Sequence, residues 1–271
     1  MPLVTVIIPT WNRATWLMKS VESVLEQSFK DFELFVVDDG STDSTSELLN
    51  NYDGRIRTIT LHTNFGVSKA RNVAISKSDS DWVAFLDSDD YWHPRKLHSQ
   101  IDYTNVFPDC PIHFTDEIWI RNGLRVNPKK KHQKKEGWIF QPSLELCLIS
   151  PSSVILKREL FEYHGMFDET LPVCEDYDLW LRLTYRYKVA LLNKKLMTRY
   201  GGHSDQLSKS FWGMDRYRVK SIKKILNYEN LDHDDFIAAT KVLRKKCKIL
   251  SDGFKKRGNI KEAEYFEKFS I

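Results

Sequence analysis

The sequence predicts an α/β fold, a parallel sheet with helices on both faces, followed by a C-terminal helical extension. Strand-like and helix-like segments alternate through the first half of the 271 residues, which is typical of parallel strands joined by helical crossovers. The first of these segments is an apolar, mostly β-branched run, as expected of a buried strand. Near the end of the chain, apolar residues recur at helical spacing instead. A hydrophobic content of 41% is sufficient for one full domain with a smaller appendage.

The elements of the first half can be placed in order. Leu3–Ile8 (LVTVII) is the first strand and stops at Pro9. Arg13–Gln27 carries apolar residues at helical spacing and is the first helix. The other strands and helices alternate in the order Phe32–Val37, Ser41–Tyr52, Arg55–Leu61, Gly66–Ser76 and Trp82–Leu86.

The alternation loosens after Pro108. Ile112–Ile120 and Gly123–Asn127 predict a hairpin-like excursion, and Lys129–Gly137 (KKKHQKKEG) predicts an exposed, mobile loop. Two more elements are predicted in this half, a strand at Val154–Leu156 and a helix at Glu175–Tyr187.

The extension from Phe211 onward is predicted to be helical. Asp215–Tyr228 is basic on one side and apolar on the other. Gly258 separates two further helices, of which the second continues through Phe266. The first has an apolar seam spaced by three or four residues, made of Phe236, Thr240, Leu243, Cys247, Leu250 and Phe254.

Charge separates the extension from the rest of the chain. The formal net charge is only +4, which predicts no nucleic-acid partner, yet residues 211–271 hold 15 Lys and Arg against 9 Asp and Glu. Basic amphipathic helices can lie on anionic membranes. We favour a helix packed on the rest of the protein with its basic side in water, and peripheral membrane contact is the alternative.

Cysteine usage and hydropathy indicate the compartment. The four cysteines share no C-x-x-C spacing, so we expect reduced thiols rather than disulfides or a zinc site. No apolar stretch approaches the ~20 residues that span a bilayer, and no basic segment precedes an apolar leader. We therefore expect a cytoplasmic protein. The alternative is a cytoplasmic protein that also contacts the inner face of the membrane peripherally.

The sharpest motif is Asp87-Ser88-Asp89-Asp90, which follows an apolar strand. Open α/β sheets bind their ligands at the carboxyl ends of strands. Neighbouring carboxylates repel one another unless a cation neutralises them, and Mg²⁺ or Mn²⁺ takes such oxygens together with phosphate oxygens. The alternative is an acidic turn that caps the next helix, and the tetrapeptide alone fits both interpretations.

A second acidic motif, VDDGST, ends the second strand. Asp39 could accept a hydrogen bond from a nucleobase or a ribose hydroxyl, while Gly40 allows a tight turn. The alternative is a helix cap built from Asp39, Ser41 and Asp43, and both interpretations can hold together.

Three weaker segments complete the set. Lys69 and Arg71 lie early in a helix, where cations are unfavourable unless an anion is near, although such a pair is more often on a solvated surface. Glu175 and Asp176 open another helix, either as dipole compensation or with one of them as a general base. His203 lies in a polar loop, Gly201–Gln206, without a partner at ligand spacing.

In this order the segments resemble glycosyltransferase family 2, whose members have the GT-A fold and invert the anomeric carbon. The resemblance covers roughly residues 1–205 and rests on VTVIIPTWNR, VDDGSTD, NFGVSKARN, DSDD, EDYDLW and GGHSDQ. The QxxRW element of processive members is absent, which indicates one transfer per encounter.

The resemblance implies a role for each motif residue. Asp176 is the implied catalytic base, with Glu175 as the adjacent alternative. Asp89 is the implied direct ligand of a divalent metal, Mn²⁺ or Mg²⁺, together with Asp87 and His203. The implied nucleotide-binding residues are Pro9, Thr10 and Trp11 at the base, Asp39 on the nucleobase (commonly uracil), and Arg13, Lys69, Arg71, Asp87 and Ser88.

The resemblance also implies an activity and a domain division. We expect transfer of a sugar from a nucleotide sugar to a saccharide or lipid-linked saccharide acceptor. The catalytic domain would span 1–210, with a nucleotide-binding half at 1–110 and an acceptor half at 111–210, and the extension would span 211–271. A non-catalytic nucleotide-sugar-binding protein is the alternative. A Rossmann dehydrogenase is excluded, because the turn after the first strand, PTWNR, contains no glycine.

Overall fold

The computed structural model describes residues 1–52, 54–203, 211–228 and 230–270. The strands in these ranges are β1 (Val4–Thr10), β2 (Phe32–Asp38), β3 (Arg57–Thr60), β4 (Trp82–Phe85), β5 (Tyr91–Trp92), β6 (Ile112–Arg121), β7 (Leu124–Val126), β8 (Val154–Lys157) and β9 (Val189–Gly201). The helices are α1 (Ala14–Leu25), α2 (Thr45–Asn50), α3 (Val67–Ile75), α4 (Lys96–Thr104), α5 (Phe140–Glu145), α6 (Glu159–His164), α7 (Glu175–Thr184), α8 (Asp215–Tyr228), α9 (His233–Lys255) and α10 (Ile260–Glu267). Short 3₁₀ helices lie at Lys130–His132 and Pro151–Ser153.

These strands form one mixed sheet in the order β3-β2-β1-β4-β8-β6-β9-β5, with β7 paired to β6. The first four are parallel, as the sequence predicts. The second half adds antiparallel pairs, in which β8 lies between β4 and β6 and runs antiparallel to both. Short antiparallel pairs can form without the long crossovers that reveal parallel strands in a sequence.

Helices cover both faces of the sheet, which confirms the predicted fold class. Side chains of β1 alternate between the faces. Ile7 packs in one core with Ala70 and Ala74 of α3. Val6 and Ile8 pack in the other core, which also contains Leu17, Val21 and Val24 of α1.

Strand β9 is one of the elements that the sequence analysis missed. It pairs in parallel with β6 over most of its length, and the register shifts on either side of Asp116. Near its end, Tyr91 of β5 pairs with Thr198. The Asn193-Lys194-Lys195 run is exposed and interrupts the apolar pattern, so period-two alternation is hidden. Through β5, this strand lies beside the residues that follow the Asp87–Asp90 motif.

The extension packs against α7. Val219 and Ile222 of α8 share a buried core with Tyr177 and Leu181 of α7. Lys224 donates to Asp168 and Asp178, at 2.8 and 3.1 Å. This confirms that α8 packs on the rest of the protein, although Lys224 on its basic side is paired with carboxylates. Membrane contact of the extension stays a prediction. The predicted boundary at 210/211 falls at the edge of residues 204–210, which lie outside the described ranges, and it stays a prediction.

Two other expectations concern thiols and membranes. All four cysteines are free thiols, as predicted. Within the described ranges, no helix has both the length and the hydropathy that crossing a bilayer requires.

Candidate active site

The carboxyl ends of β1, β2 and β4 lie side by side. Thr10, at the end of β1, pairs with Asp38 at the end of β2. Beyond the end of β4, Leu86 donates its backbone N–H to Ile7 of β1 at 3.0 Å. Because parallel strands end at one edge, the polar residues that follow all three strands meet there.

Asp39 holds the loop that leads into α3. It is buried, and its carboxylate accepts the backbone N–H groups of Phe65 (2.9 Å) and Gly66 (2.7 Å). Burial raises the pKa of Asp39, although these two N–H donors oppose the shift. Of the three residues in the helix-capping alternative, Asp43 contacts the start of α2, where it accepts the backbone N–H of Thr45 at 3.0 Å.

Gly40 is required by the turn after Asp39. Its φ is +72°, and a Cβ placed there would lie 2.5 to 2.9 Å from backbone atoms of Thr63. Gly54 has a similar φ of +74° but open space around it. We expect Gly54→Ala to reduce the free energy of unfolding by about 1 kcal/mol and Gly40→Ala by about 3 kcal/mol, since only the second adds a backbone clash. Urea titration of both variants measures this, and equal losses would contradict the close approach at Gly40.

The predicted base pocket begins where β1 ends. Pro9 and Thr10 are buried, whereas Trp11 is 49% exposed. The Thr10 hydroxyl has no hydrogen-bond partner among the residues that the structure describes. The backbone N–H of Asp39 donates to the carbonyl of Thr10 at 2.8 Å. The structure therefore brings Asp39 beside a buried, unpaired hydroxyl that precedes an exposed indole, and the nucleobase role of these residues stays a prediction.

The Asp87–Asp90 loop is fixed by buried serines. The backbone N–H of Asp87 donates to the Ser152 hydroxyl (3.0 Å), which donates in turn to Asp90 (2.6 Å). Ser20 donates to the carbonyls of Ser88 and Asp90. Asp90 also accepts the backbone N–H of Tyr200 in β9, at 3.1 Å. Sequence reasoning missed these anchoring roles, because isolated serines carry no spacing signal.

Asp89 and His203 meet, as the resemblance implies. Their side chains are 2.9 Å apart, and the imidazole lies 5.5 Å from the ring of Trp16. Burial raises the pKa of Asp89 and the charge of Asp87 raises it further, against the opposing charges of His203 and Arg13. Arg13, named as a nucleotide-binding residue, is thus electrostatically coupled to Asp89.

The side chains of Asp87, Asp89 and His203 suit a hard divalent cation that is also coordinated by a bound ligand. No group of three metal-binding side chains is preassembled within the described ranges. Mg²⁺ and Mn²⁺ do not need such a cage, since one or two carboxylates suffice when phosphates and water supply the other oxygens. The mutual repulsion of Asp87 and Asp89 is what a bound cation would relieve.

Arg71 connects the Asp87–Asp90 motif to Glu175 at the start of α7. It is 2% exposed, and its guanidinium donates to Asp87 (2.8 Å) and Glu175 (2.7 Å). The rings of Phe85 and Phe167 lie within 6 Å of it. The sequence predicts that Arg71 holds the nucleotide, and that role stays a prediction; the structure shows it bound to carboxylates on both sides.

Lys69 lies apart from this network. Its Nζ pairs with Glu169 at 3.4 Å, and both side chains are well exposed. The structure therefore gives Lys69 no contact with the acidic motifs, and its predicted role at the nucleotide stays untested.

The two candidate bases have different surroundings. Glu175 is buried against Arg71, and burial together with the charge of Asp176 raises its pKa to about 7. Asp176 is only half-buried, and its carboxylate accepts from the backbone N–H of Tyr177 (2.7 Å) and the thiol of Cys147 (3.4 Å). Glu175 is thus committed to Arg71, while Asp176 remains open to a ligand.

Arg199 of β9 is a site residue that the sequence analysis did not find. Its side chain is exposed, and the charges of Asp90, Glu117, Asp87 and Asp176 all act on its guanidinium. Without β9 as a predicted strand, nothing in the sequence placed Arg199 beside the acidic motifs.

Known proteins resemble this chain in sequence. The family model described as glycosyl transferase family 2 matches residues 5–163. The putative teichuronic acid biosynthesis glycosyltransferase TuaG of Bacillus subtilis (strain 168) is 30% identical over 244 residues, covering 88% of this chain and 92% of TuaG. The UDP-Glc:alpha-D-GlcNAc-diphosphoundecaprenol beta-1,3-glucosyltransferase WfaP of Escherichia coli is 31% identical over 214 residues, covering 77% of this chain and 80% of WfaP.

Other relatives are longer. An uncharacterized glycosyltransferase of Rickettsia bellii (strain RML369-C) is 31% identical over 215 residues, which are 77% of this chain. The chain spans only 31% of that relative's length.

Solved structures share the fold. TarS residues 1–349 of S. aureus, in complex with UDP-GlcNAc, superposes with a TM-score of 0.68 at 19% identity, covering 98% of this chain and 90% of TarS. The mannosyltransferase PcManGT of Pyrobaculum calidifontis, in complex with GDP-Man and Mn²⁺, gives a TM-score of 0.67 at 16% identity, covering 97% and 78%. This likeness confirms the GT-A fold.

Proposed function

The chain belongs to glycosyltransferase family 2 and is a glycosyltransferase; from this we propose that it moves a sugar from a UDP-sugar to an acceptor hydroxyl with inversion at the anomeric carbon. One observation carries the proposal. Arg71 joins Asp87 of the donor-side motif to Glu175, which precedes the candidate base Asp176. Donor-binding and proton-accepting groups thus lie within one network.

The donor's nucleobase is assigned to the pocket at the end of β1. The Asp39 carboxylate accepts two backbone N–H groups and keeps lone pairs for a uracil N–H. The unpaired Thr10 hydroxyl and the exposed Trp11 ring offer a hydrogen bond and a stacking surface. WfaP is named for UDP-Glc and TarS was solved with UDP-GlcNAc, which favours UDP over the GDP of PcManGT.

The donor's diphosphate is assigned to the Asp87–Asp89 motif. Asp89 would hold a divalent cation, with Asp87 and His203 beside it, as the donor set allows. When bound, the cation supplies charge neutralisation of the departing diphosphate. The Mn²⁺ in the PcManGT complex supports this assignment.

Asp176 is assigned as the general base. The acceptor oxygen forms a bond to the anomeric carbon as the bond from that carbon to the diphosphate breaks, and the hydroxyl proton passes to the Asp176 carboxylate. The guanidinium groups of Arg71 and Arg199 both interact electrostatically with the Asp176 carboxylate. One displacement with one base inverts the anomeric centre, and no covalent nucleophile is needed.

We assign the acceptor as a saccharide or a lipid-linked saccharide that is used in bacterial polysaccharide or glycolipid synthesis. TuaG is named for teichuronic acid biosynthesis and WfaP for a GlcNAc-diphosphoundecaprenol acceptor. With such acceptors, the transfer reaction would occur at the cytoplasmic face of a membrane. Residues 1–210 would perform the transfer, and 211–271 would support the acceptor half.

A donor screen tests the proposed function. The enzyme is incubated with UDP-Glc, UDP-GlcNAc or GDP-Man in the presence of Mn²⁺, Mg²⁺ or EDTA, and released nucleoside diphosphate is measured. We expect slow hydrolysis of a UDP-sugar that needs metal and stops in EDTA, because water can replace the acceptor. Absence of both binding and hydrolysis for every donor and metal would overturn the proposal.

A further inference from the structure

The lysine-rich segment 129–135, here called the basic loop, is exposed over most of its length, as predicted, and is held at one end by Lys134. The Lys134 ammonium pairs with Glu117 at 3.1 Å and donates to the carbonyl of Leu148 at 2.9 Å. Both charged side chains are largely buried, at 10% and 3% exposure. The indole N–H of Trp119 donates to the second oxygen of Glu117 at 2.7 Å. This buried pair fixes one end of the basic loop to β6.

The anchor lies beside the candidate base. Leu148, which accepts from the Lys134 ammonium, directly follows Cys147. The Cys147 thiol donates to Asp176 at 3.4 Å, and Lys134 acts electrostatically on that thiol. Two contacts therefore connect the basic loop to the carboxylate that would take the acceptor's proton.

Arg199 borders the same region from β9. It pairs in register with Trp119 of β6, so both side chains lie on one face of the sheet. The ring of Trp119 lies 5.1 Å from that of His132 in the basic loop. Arg199 also acts electrostatically on Asp176 and on His132. Arg199 thus interacts electrostatically both with the basic loop and with the catalytic carboxylates.

The exposed part of the basic loop concentrates positive charge. Burial lowers the pKa of His132, and the charges of Lys131, Lys134, Arg199 and Lys129 lower it further. Lys129, Lys130 and Lys131 are exposed and form no ion pair with a carboxylate in the described ranges. Like charges held together cost free energy unless an anion binds among them.

We propose that the basic loop and Arg199 bind a phosphate or diphosphate carried by the acceptor, close to its reacting hydroxyl. The inference rests on the proposed function, since it gives the acceptor a charge. Phosphate oxygens accept charge-assisted hydrogen bonds from ammonium groups and paired bonds from a guanidinium. The phosphate would lie on the Asp176 side, distinct from the donor diphosphate at Asp87 and Asp89.

Binding of hexyl diphosphate to the enzyme saturated with UDP and Mn²⁺ tests this, because UDP then blocks the donor site. We expect saturable calorimetric binding, weakened about tenfold in Lys129→Gln/Lys131→Gln and in Arg199→Gln. The affinity for UDP is expected to stay unchanged in the double lysine variant, whose residues lie outside the donor site. Lys248→Gln/Lys256→Gln removes the same charge from the extension and should bind like the wild type. Hexyl glucoside, which is neutral, should not compete.

The outcomes separate the two proposals. Failure to bind UDP would overturn the proposed function itself. UDP binding without hexyl diphosphate binding, or equal binding by the basic-loop variant, would overturn only the anionic-acceptor inference. Stronger binding to phosphatidylglycerol vesicles than to hexyl diphosphate, lost in the basic-loop variant, would overturn it in favour of a membrane contact.

Discussion

Asp176→Asn is expected to slow sugar transfer by about 10²–10⁴-fold and to leave the affinity for UDP within about twofold. The amide has nearly the same shape and still accepts the backbone N–H of Tyr177, which now bonds the carboxylate. It cannot take the acceptor's proton. Steady-state transfer rates, with UDP affinity from calorimetry, check both parts of the expectation.

Two further variants decide whether the base is assigned correctly. Glu175→Gln keeps an oxygen for Arg71 but removes the buried charge, so it should alter stability more than chemistry. Asp109→Asn changes an exposed carboxylate and should behave as the wild type. If Glu175→Gln abolishes transfer while Asp176→Asn retains it, the base is Glu175.

Asp89→Ala should remove most metal-dependent donor turnover, a loss of about 10²–10³-fold. The substitution deletes the carboxylate that pairs with His203 at 2.9 Å and is repelled by Asp87. The rate of UDP release against Mn²⁺ concentration measures the effect. Wild-type rates with an unchanged Mn²⁺ dependence would contradict the assignment of the metal to Asp89.

Thermal unfolding without metal gives this variant an independent readout. Burial and Asp87 both disfavour the charge on Asp89, so its removal relieves repulsion in the metal-free protein. We expect an unfolding temperature equal to or above that of the wild type. A marked fall would mean that lost activity reflects damage to the fold, and Asp109→Ala serves as the matched exposed control.

The first half of the chain could be predicted because its signals are local. Three of its four parallel strands are short and largely apolar, and two of them lead into residues whose chemistry is evident, Asp39 after β2 and Asp89 after β4. Parallel strands share an edge, so the sequence order of these residues also predicts their proximity. The helices between them show the spacing of one buried face.

The other half depends on contacts between distant residues. Arg71 and Glu175 are 104 residues apart, and no local pattern pairs them. Strand β9 is hidden by its polar interruption, and Arg199 with it. Lys134 belongs to a segment whose composition predicts a solvated loop, yet a single buried carboxylate, Glu117, holds it in place. Such pairings follow from tertiary packing, which composition does not encode.

The shared core of α7 and the extension has an evolutionary consequence. In α7, Tyr177 and Leu181 pack against Val219 and Ile222 of the extension. The proposed base, Asp176, therefore belongs to a helix that lies at the interface between the extension and the rest of the chain. A volume change anywhere along that interface shifts α7 as a rigid rod, because packed interiors transmit displacement. We therefore expect substitutions far from the substrates to change the acceptor specificity of the enzyme. Natural selection for transfer activity would then also act on residues 211–271.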